Sequence, residues 1–141
     1  MRVNKKGIEL IKKYEGCRLT AYKDSVGVLT IGYGHTGKDV KSKMTITEED
    51  AEELLKKDLA RFEEHVNSYR KYYKWTQNEF NALVSFAYNI GNINQLTKNG
   101  KRNKGQIADA MLMYVKAGGK TLSGLVKRRR AERELFCTPS K

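Results

Sequence analysis

Two carboxylates and one hydroxyl near the start of the 141-residue chain are the side-chain types that hydrolysis of a glycosidic bond requires. Eight residues separate Glu15 from Asp24, and five more separate Asp24 from Thr30. In such hydrolysis one carboxyl group protonates the leaving oxygen, while the other activates a water molecule or attacks the sugar. An uncharged hydroxyl between the two carboxylates could orient that water.

The surrounding sequence predicts a helix before this group and a small antiparallel sheet around it. Residues 3–14 carry apolar side chains at helical spacing, which places Glu15 at the end of the first helix. Residues 16–37 contain five glycines among β-branched and aromatic residues, a composition typical of short strands joined by tight turns. We predict strands at 19–24 and 27–33, with a third candidate at 44–46.

The rest of the chain is predicted to be helical. Thr47 is the predicted N-cap of a helix that continues to about residue 67, with Asp50 at its third position in a start that resembles a capping box. Thr76 is the predicted N-cap of a second helix, which ends at Gly91. Residues 92–104 are polar and predicted as loop or short helix, and the last two helices are predicted at 105–116 and 124–136.

Strands and helices are therefore segregated along the chain, and this predicts an α+β fold in one domain. We expect a small antiparallel β lobe at about 15–46 and a mainly helical lobe at about 60–141 that includes the N-terminal helix. The long helix beginning near Thr47 is expected to bridge the lobes, with a glycan bound in the cleft between them.

Composition limits the function classes. The 28 Lys and Arg exceed the 16 Asp and Glu, so the net charge is +12, and a polyanionic partner is expected. No apolar run approaches the roughly 20 residues of a membrane span, and the N-terminus lacks the apolar stretch of a secretory signal. Cys17 and Cys137 are not expected to form a disulfide, and with His35 and His65 they cannot build a zinc site. We expect no cofactor and no metal.

Several motifs, in order along nearly the whole chain, resemble those of the phage-type lysozymes (endolysins) of glycoside hydrolase family 24. The resemblance is carried by Glu-x8-Asp-x5-Thr and by the segments Gly7-Ile8 through Glu15-Gly16, Ala21-Tyr22-Lys23-Asp24, Thr30-Ile31-Gly32-Tyr33-Gly34-His35, Phe86-Ala87-Tyr88-Asn89-Ile90-Gly91 and Gly124-Leu125-Val126-Lys127-Arg128-Arg129. Two acids nine positions apart are common in proteins, and it is the block after Thr30 that makes the pattern specific.

The resemblance implies a lysozyme-like fold and cleavage of the β-1,4 bond between N-acetylmuramic acid and N-acetylglucosamine in bacterial peptidoglycan. It implies that Glu15 is the general acid, that Asp24 positions and activates water or stabilises the transition state, and that Thr30 holds the water. Inversion of configuration is expected, and it accompanies a carboxyl separation of roughly 6.5–9.5 Å. The position of Glu15 at a helix C-terminus, where the macrodipole disfavours a negative charge, fits a functional role.

Further roles are implied by the same resemblance. His35 is expected to contact Asp58 as a stabilising pair, and Arg128 to lie near the catalytic glutamate. Tyr88 and Asn89 match a segment that lines the substrate groove. The alternatives are a solvated basic face for Arg128, a core aromatic for Tyr88 and a helix C-cap for Asn89.

The expected partners are the glycan strands of peptidoglycan, reached through a holin-type membrane pore, with the protein in the host cytoplasm until release. We expect a monomer with no stable membrane anchor and no nucleic-acid partner. The alternative is a non-catalytic basic protein that binds the wall or nucleic acid, although no nucleic-acid-binding motif is evident.

Overall fold

The computed structural model describes residues 1–140 as helices with two small antiparallel sheets. The elements in chain order are α1 (Lys5–Glu15), β1 (Arg18–Lys23), β2 (Leu29–Gly32), β3 (His35–Thr36), α2 (Glu48–Asn67), a 3₁₀ turn (Ser68–Lys71), α3 (Gln77–Ile90), α4 (Asn94–Thr97), α5 (Lys104–Met111), β4 (Lys116–Ala117), β5 (Lys120–Thr121) and α6 (Ser123–Cys137). The α+β class expected from the sequence is confirmed, whereas residue 141 of the predicted helical lobe lies outside the described residues.

The chain divides into two compact units. One contains Ile11–Ala60, and the other contains Met1–Leu10 together with the chain from Arg61 onward. Both α1 and α2 therefore contribute residues to each unit.

In the unit Ile11–Ala60, the first three strands form one antiparallel sheet in the order β1-β2-β3. Thr30 in the central strand pairs with Tyr22 of β1 and with Thr36 of β3. At the end of this strand Gly32 adopts φ +67, and a Cβ there would meet the Cβ of Ala51 at 3.4 Å. This close approach fixes the sheet against α2 within the unit.

The expectation of a third strand at 44–46 was wrong. The third strand is His35–Thr36, while the earlier candidate makes only an isolated bridge between Thr45 and Thr20, on the other edge of β1. The chain reverses within the two-residue turn Tyr33-Gly34, so the segment directly after β2 pairs with β2.

The other unit is built around α3, which is buried along most of its length and packs against α6. Thr76 accepts a hydrogen bond from the Glu79 N–H at 3.1 Å, and the Glu79 carboxylate accepts one from the Thr76 N–H at 2.8 Å. This capping box, and the end of the helix at Gly91 with φ +119, confirm the predicted bounds. The same reciprocal bonds join Thr47 and Asp50 at the start of α2.

The predicted helix at 105–116 was too long. It ends at Met111, and the chain continues as a β-hairpin in which Lys116 pairs with Thr121 and Ala117 with Lys120. Gly118 and Gly119 have φ values of +59 and +78, so they form the two-residue turn that favours a hairpin. The 3₁₀ turn at Ser68–Lys71 was not predicted.

We predict that Gly7→Ala lowers the free energy of unfolding by about 1–3 kcal/mol, although alanine is the better helix former. A Cβ at Gly7 would lie 2.7 Å from Cγ of Asn81 and would also overlap Val3. Urea unfolding measures the change. The control is Gly124→Ala in α6, where a Cβ meets no atom of another segment within 4 Å and where stability is expected to rise by up to about 1 kcal/mol. Equal effects of the two changes would contradict the packing argument.

Candidate active site

Glu15 is the last residue of α1 and is half-buried. The helix ends because Gly16 adopts φ +70, a conformation that glycine enters without steric cost. The Gly16 N–H still donates to the Lys12 carbonyl at 3.0 Å, so the helical turn that carries Glu15 is closed. Strand β1 then begins at Arg18, which makes the connection from helix to sheet very short.

Asp24 lies in the turn that joins β1 to β2, and its carboxylate is held by the backbone of that turn. Its Oδ1 accepts hydrogen bonds from the N–H groups of Val26 and Val28, each at 2.9 Å. The Asp24 N–H in turn donates to the Val28 carbonyl at 2.9 Å. Asp24 therefore stabilises the turn, and this role is compatible with a catalytic one because Oδ1 alone accepts the two turn bonds.

Thr30 lies six residues further along the same hairpin and is 4% exposed. Its hydroxyl donates to the Val28 carbonyl at 3.0 Å, which directs the oxygen lone pairs away from that carbonyl. Asp24 and Thr30 both bond to Val28, Asp24 by accepting from its N–H and Thr30 by donating to its carbonyl, so the two side chains belong to one short hairpin. Because the Thr30 hydroxyl already donates its hydrogen bond, its oxygen can accept a hydrogen bond from a bound water.

His35 contacts two carboxylates. Its Nδ1 lies 2.7 Å from Oδ2 of Asp58, so the contact expected between these residues is present. Its Nε2 lies 2.9 Å from Oδ2 of Asp39, a partner that sequence reasoning missed. Burial lowers the pKa of His35, but the hydrogen bonds to Asp58 and Asp39 outweigh it, and the net effect raises the pKa above its ordinary value. The same histidine lowers the pKa of Asp39.

Arg128 is not part of a solvated basic face, since it is only 4% exposed. Its Nε lies 3.1 Å from Oε2 of Glu132, and its Nη2 donates to the Ser85 carbonyl at 3.1 Å. These partners connect α6 to α3. The role of Arg128 toward Glu15 stays a prediction.

Tyr88 and Asn89 lie in the last turn of α3. The half-buried Tyr88 ring packs edge-on against Phe62 with the ring centroids 5.5 Å apart, and the exposed Asn89 accepts a hydrogen bond from Arg129. Asn89 is not the helix C-cap, as one alternative had it, because that position belongs to Gly91.

Five of the predicted site residues belong to the unit Ile11–Ala60, namely Glu15, Asp24, Thr30, His35 and Asp58. The other three, Tyr88, Asn89 and Arg128, belong to the unit that contains the chain from Arg61 onward. The sequence did carry a signal for the Glu132 partner of Arg128, because residues four apart on one helix share a face.

Within residues 1–140 no group of three or more His, Cys, Asp or Glu side chains is arranged to hold a metal ion. None of the helices described is long and apolar enough to cross a membrane.

A glutamate at the end of a first helix, followed by an aspartate in a hairpin turn and a threonine in its second strand, within an α+β fold, defines a lysozyme-like protein. The family model for phage lysozymes matches residues 12–132, and the chain belongs to this family. An endolysin of Bacillus phage B103 is 44% identical over 98% of this chain and 55% of its own length. An endolysin of Salmonella phage P22 is 43% identical over 96% of this chain and 98% of its own length.

Among solved structures, the muramidase domain of SpmX from Asticaccaulis excentricus superimposes with a TM-score of 0.87. It is 36% identical, and the match covers 98% of this chain and 99% of that one. The chain spans about half the length of some curated relatives, such as the Bacillus phage B103 endolysin, and nearly the whole length of others.

We predict that Asp58→Asn lowers the free energy of unfolding by about 1.5–3 kcal/mol at pH 5.5, because it removes the partner of a charged His35. The contribution of a histidine with a raised pKa is complete below its ordinary value of about 6.5 and is lost as the pH rises through the raised value. The difference from wild type should therefore shrink by pH 8. Urea unfolding at the two pH values measures it.

The matched control for that prediction is Asp39→Asn. The Asp39 carboxylate is 61% exposed, against 14% for Asp58, so solvent screens its contact with His35 and a smaller loss is expected. A loss that is the same at pH 5.5 and pH 8 for Asp58→Asn would show that the protonated histidine is not what the aspartate stabilises.

Proposed function

We propose that the chain is an endolysin that hydrolyses the β-1,4 bond between N-acetylmuramic acid and N-acetylglucosamine in bacterial peptidoglycan. The observation that carries the proposal is the Asp24 hairpin. It holds a carboxylate that accepts from two backbone N–H groups, and a hydroxyl that donates to the carbonyl of Val28, one of those two residues, and that can accept a hydrogen bond from water. Membership of the phage lysozyme family, over a match that includes Glu15, supports it.

In the proposed mechanism Glu15 is the general acid, and it protonates the glycosidic oxygen as the bond to the anomeric carbon breaks. Asp24 accepts a proton from the attacking water through the carboxylate oxygen that does not serve the turn. Thr30 holds this water by accepting a hydrogen bond from its second O–H, since the Thr30 hydroxyl itself donates to the Val28 carbonyl. The water attacks the face of the sugar opposite the leaving group, so the configuration is inverted.

The position of Asp24 fits such a role physically. Because two N–H groups fix Oδ1, the carboxylate loses little rotamer freedom when substrate binds, and a preorganised group of this kind is what positioning a water requires. The neighbouring Val26 and Val28 are 80% and 43% exposed, and these apolar side chains offer contact surface for a sugar ring or an acetyl methyl group.

We predict that Glu15→Gln reduces the rate of clearing of a bacterial cell-wall suspension by about 10³-fold, since general acid catalysis contributes about 10²–10⁴-fold. Wall binding and the thermal midpoint should stay near those of the unmodified protein. The control is Glu53→Gln, the same change at an exposed position of α2, which should leave clearing intact. If Glu15→Gln clears walls at the normal rate, the proposed acid is wrong. If the unmodified protein binds walls without clearing them, the non-catalytic alternative holds.

We predict that Asp24→Asn reduces clearing by about 10²-fold or more while the fold stays intact. Asparagine keeps the Oδ1 that accepts the two N–H bonds of the turn, and loses only the negative charge. Asp24→Ala removes both, and it should in addition lower the melting temperature. Comparison of the two variants thus separates the effect of the charge on clearing from the effect of the turn bonds on stability. A fully active Asp24→Asn protein would exclude a carboxylate base at this position.

Inversion is tested by the anomer that is formed first. Proton NMR of the products during the first minutes, before mutarotation, should show the α-anomer at the new reducing end. An initial β-anomer would indicate a retaining mechanism and a covalent or substrate-assisted intermediate.

The proposed setting is the host cytoplasm until a holin-type pore releases the protein to the wall, where it acts as a monomer on glycan strands. The net charge of +12 supports this setting, because it favours encounter with an anionic wall at long range.

A further inference from the structure

A groove with cationic walls lies in the unit that contains the chain from Arg61 onward, and the proposed catalytic residues do not contribute to it. It consists of two adjoining cavities of about 540 Å³ each, which share Lys98, Lys101, Arg102 and Met113 as lining residues. We call it the basic groove. One cavity is completed by Gln106, Asp109 and Ala110, and the other by Asn94, Gln95, Asn99 and Tyr114.

The charge of the basic groove is positive on balance. Lys98 and Lys101 are exposed, and Arg102 is half-buried with its Nη1 donating to the Leu96 carbonyl at 2.9 Å. The acidic residue among those that line it, Asp109, lies 3.1 Å from Nη2 of Arg133. Because that guanidinium offsets the carboxylate, the three cations of the groove are left to attract an anion from solvent.

The backbone that carries these cations is held by local hydrogen bonds. Lys98, Asn99 and Gly100 have φ values of +49, +55 and +87, three successive residues in the left-handed region. Their conformation is stabilised locally, since the N–H groups of Lys98 and Asn99 donate to carbonyls of α4 at 3.2 and 2.9 Å. Gly100 lies flat against the Tyr72 ring, where a Cβ would approach to within 2.5–2.8 Å of the ring carbons. The lysines are thus presented from a preorganised loop.

The remaining lining residues favour a ligand rich in hydroxyl groups. The exposed side-chain amides of Gln95 and Asn99 can donate to and accept from hydroxyls, and Met113 offers an apolar surface that is 65% exposed. Among the described residues that line the basic groove, Tyr114 is the one aromatic residue, and its ring already packs against Phe86 with the centroids 5.0 Å apart, so the groove offers no row of aromatic rings for the stacking of successive bases. Single-stranded nucleic acid gains much of its affinity from such stacking.

We propose that the basic groove binds an anionic wall polymer of phosphodiester-linked polyol or sugar units. Repeating phosphates match cations distributed over two adjoining cavities, and the hydroxyls between the phosphates match the amides. This rests on the proposed function, because a wall-degrading enzyme encounters such a polymer where it acts. Binding there would hold the enzyme on the wall between cleavage events.

The test measures binding of the full chain to fluorescently labelled poly(glycerol phosphate) by anisotropy at about 0.1 M salt. Lys98→Asn combined with Lys101→Gln removes two cations, and asparagine tolerates the left-handed backbone at position 98. We expect the Kd to rise by about tenfold or more and the slope of log K against log salt to shrink by about 1.5. The conservative pair Lys98→Arg and Lys101→Arg should keep the affinity within about threefold.

The matched control is Lys5→Gln combined with Lys6→Gln, two exposed lysines of α1 that lower the net charge equally. It should change the Kd by less than about twofold. Equal weakening by the control pair and the groove pair would overturn the proposal, because it would show attraction by overall charge alone. Tighter binding of single-stranded DNA than of poly(glycerol phosphate), lost in the groove pair, would also overturn it and assign the groove to nucleic acid.

The outcome is independent of catalysis, since poly(glycerol phosphate) contains no glycosidic bond to cleave. Clearing of peptidoglycan stripped of anionic polymer should be the same for the groove pair and the unmodified protein. If neither protein clears the stripped walls, the proposed function fails while the binding result stands. If both clear walls but neither binds the polymer, the groove proposal fails alone.

Discussion

The negative charge of Glu132, whose side chain has no solvent contact, is compensated by Arg128 and Arg129, which lie four and three residues earlier in α6. Glu132 and Arg129 are 0% exposed and Arg128 is 4% exposed, and Ser85 of α3 donates its hydroxyl proton to the same carboxylate. Burial raises the pKa of Glu132, while Arg129 and Arg128 lower it. Since removing an ion from water costs several kcal/mol, loss of either arginine would leave the buried carboxylate less compensated and weaken this contact between α3 and α6. The most buried helix of the molecule therefore depends on polar partners as well as on apolar packing.

Much of the fold could be predicted because the signals were local. The capping boxes that begin at Thr47 and Thr76, and the end of α3 at Gly91, depend on residues within one helical turn of each other. The third strand could not be predicted in this way. His35–Thr36 is two residues long and has no strand pattern of its own, so it is defined only by its pairing with β2. The overlong helix at 105–116 has a similar cause, since the hairpin that begins at Lys116 is defined by its pairing with Lys120–Thr121 and not by a strand pattern of its own.

In the candidate site, too, the residue types could be predicted from the sequence, whereas the contacts that depend on the course of the backbone could not. The types and spacing of Glu15, Asp24 and Thr30 are visible in the sequence, and the resemblance to a family assigned them roles. The N–H groups of Val26 and Val28 that hold Asp24 are backbone atoms, which no residue type reveals. The contact of Asp39 with His35 was not predicted, because it depends on the course of a loop and not on helical spacing.

The two histidines respond to pH in opposite directions. His65 accepts the Ile93 N–H at its Nε2, at 2.9 Å, and burial lowers its pKa. Its contribution to stability is therefore complete above about pH 6.5 and is lost as the pH falls, whereas that of His35 is lost as the pH rises. The sum of the two contributions is therefore greatest near pH 6.5 and falls on either side, with one histidine in each unit of the chain.

Cys17 and Cys137 are both exposed and are not joined by a disulfide. One belongs to the unit Ile11–Ala60, and the other to the unit that contains the chain from Arg61 onward. The native sequence thus supplies one attachment point for a thiol-reactive dye or spin label in each unit. A distance distribution between the two labels, recorded with and without a glycan fragment, would report on motion between the units without any engineered cysteine.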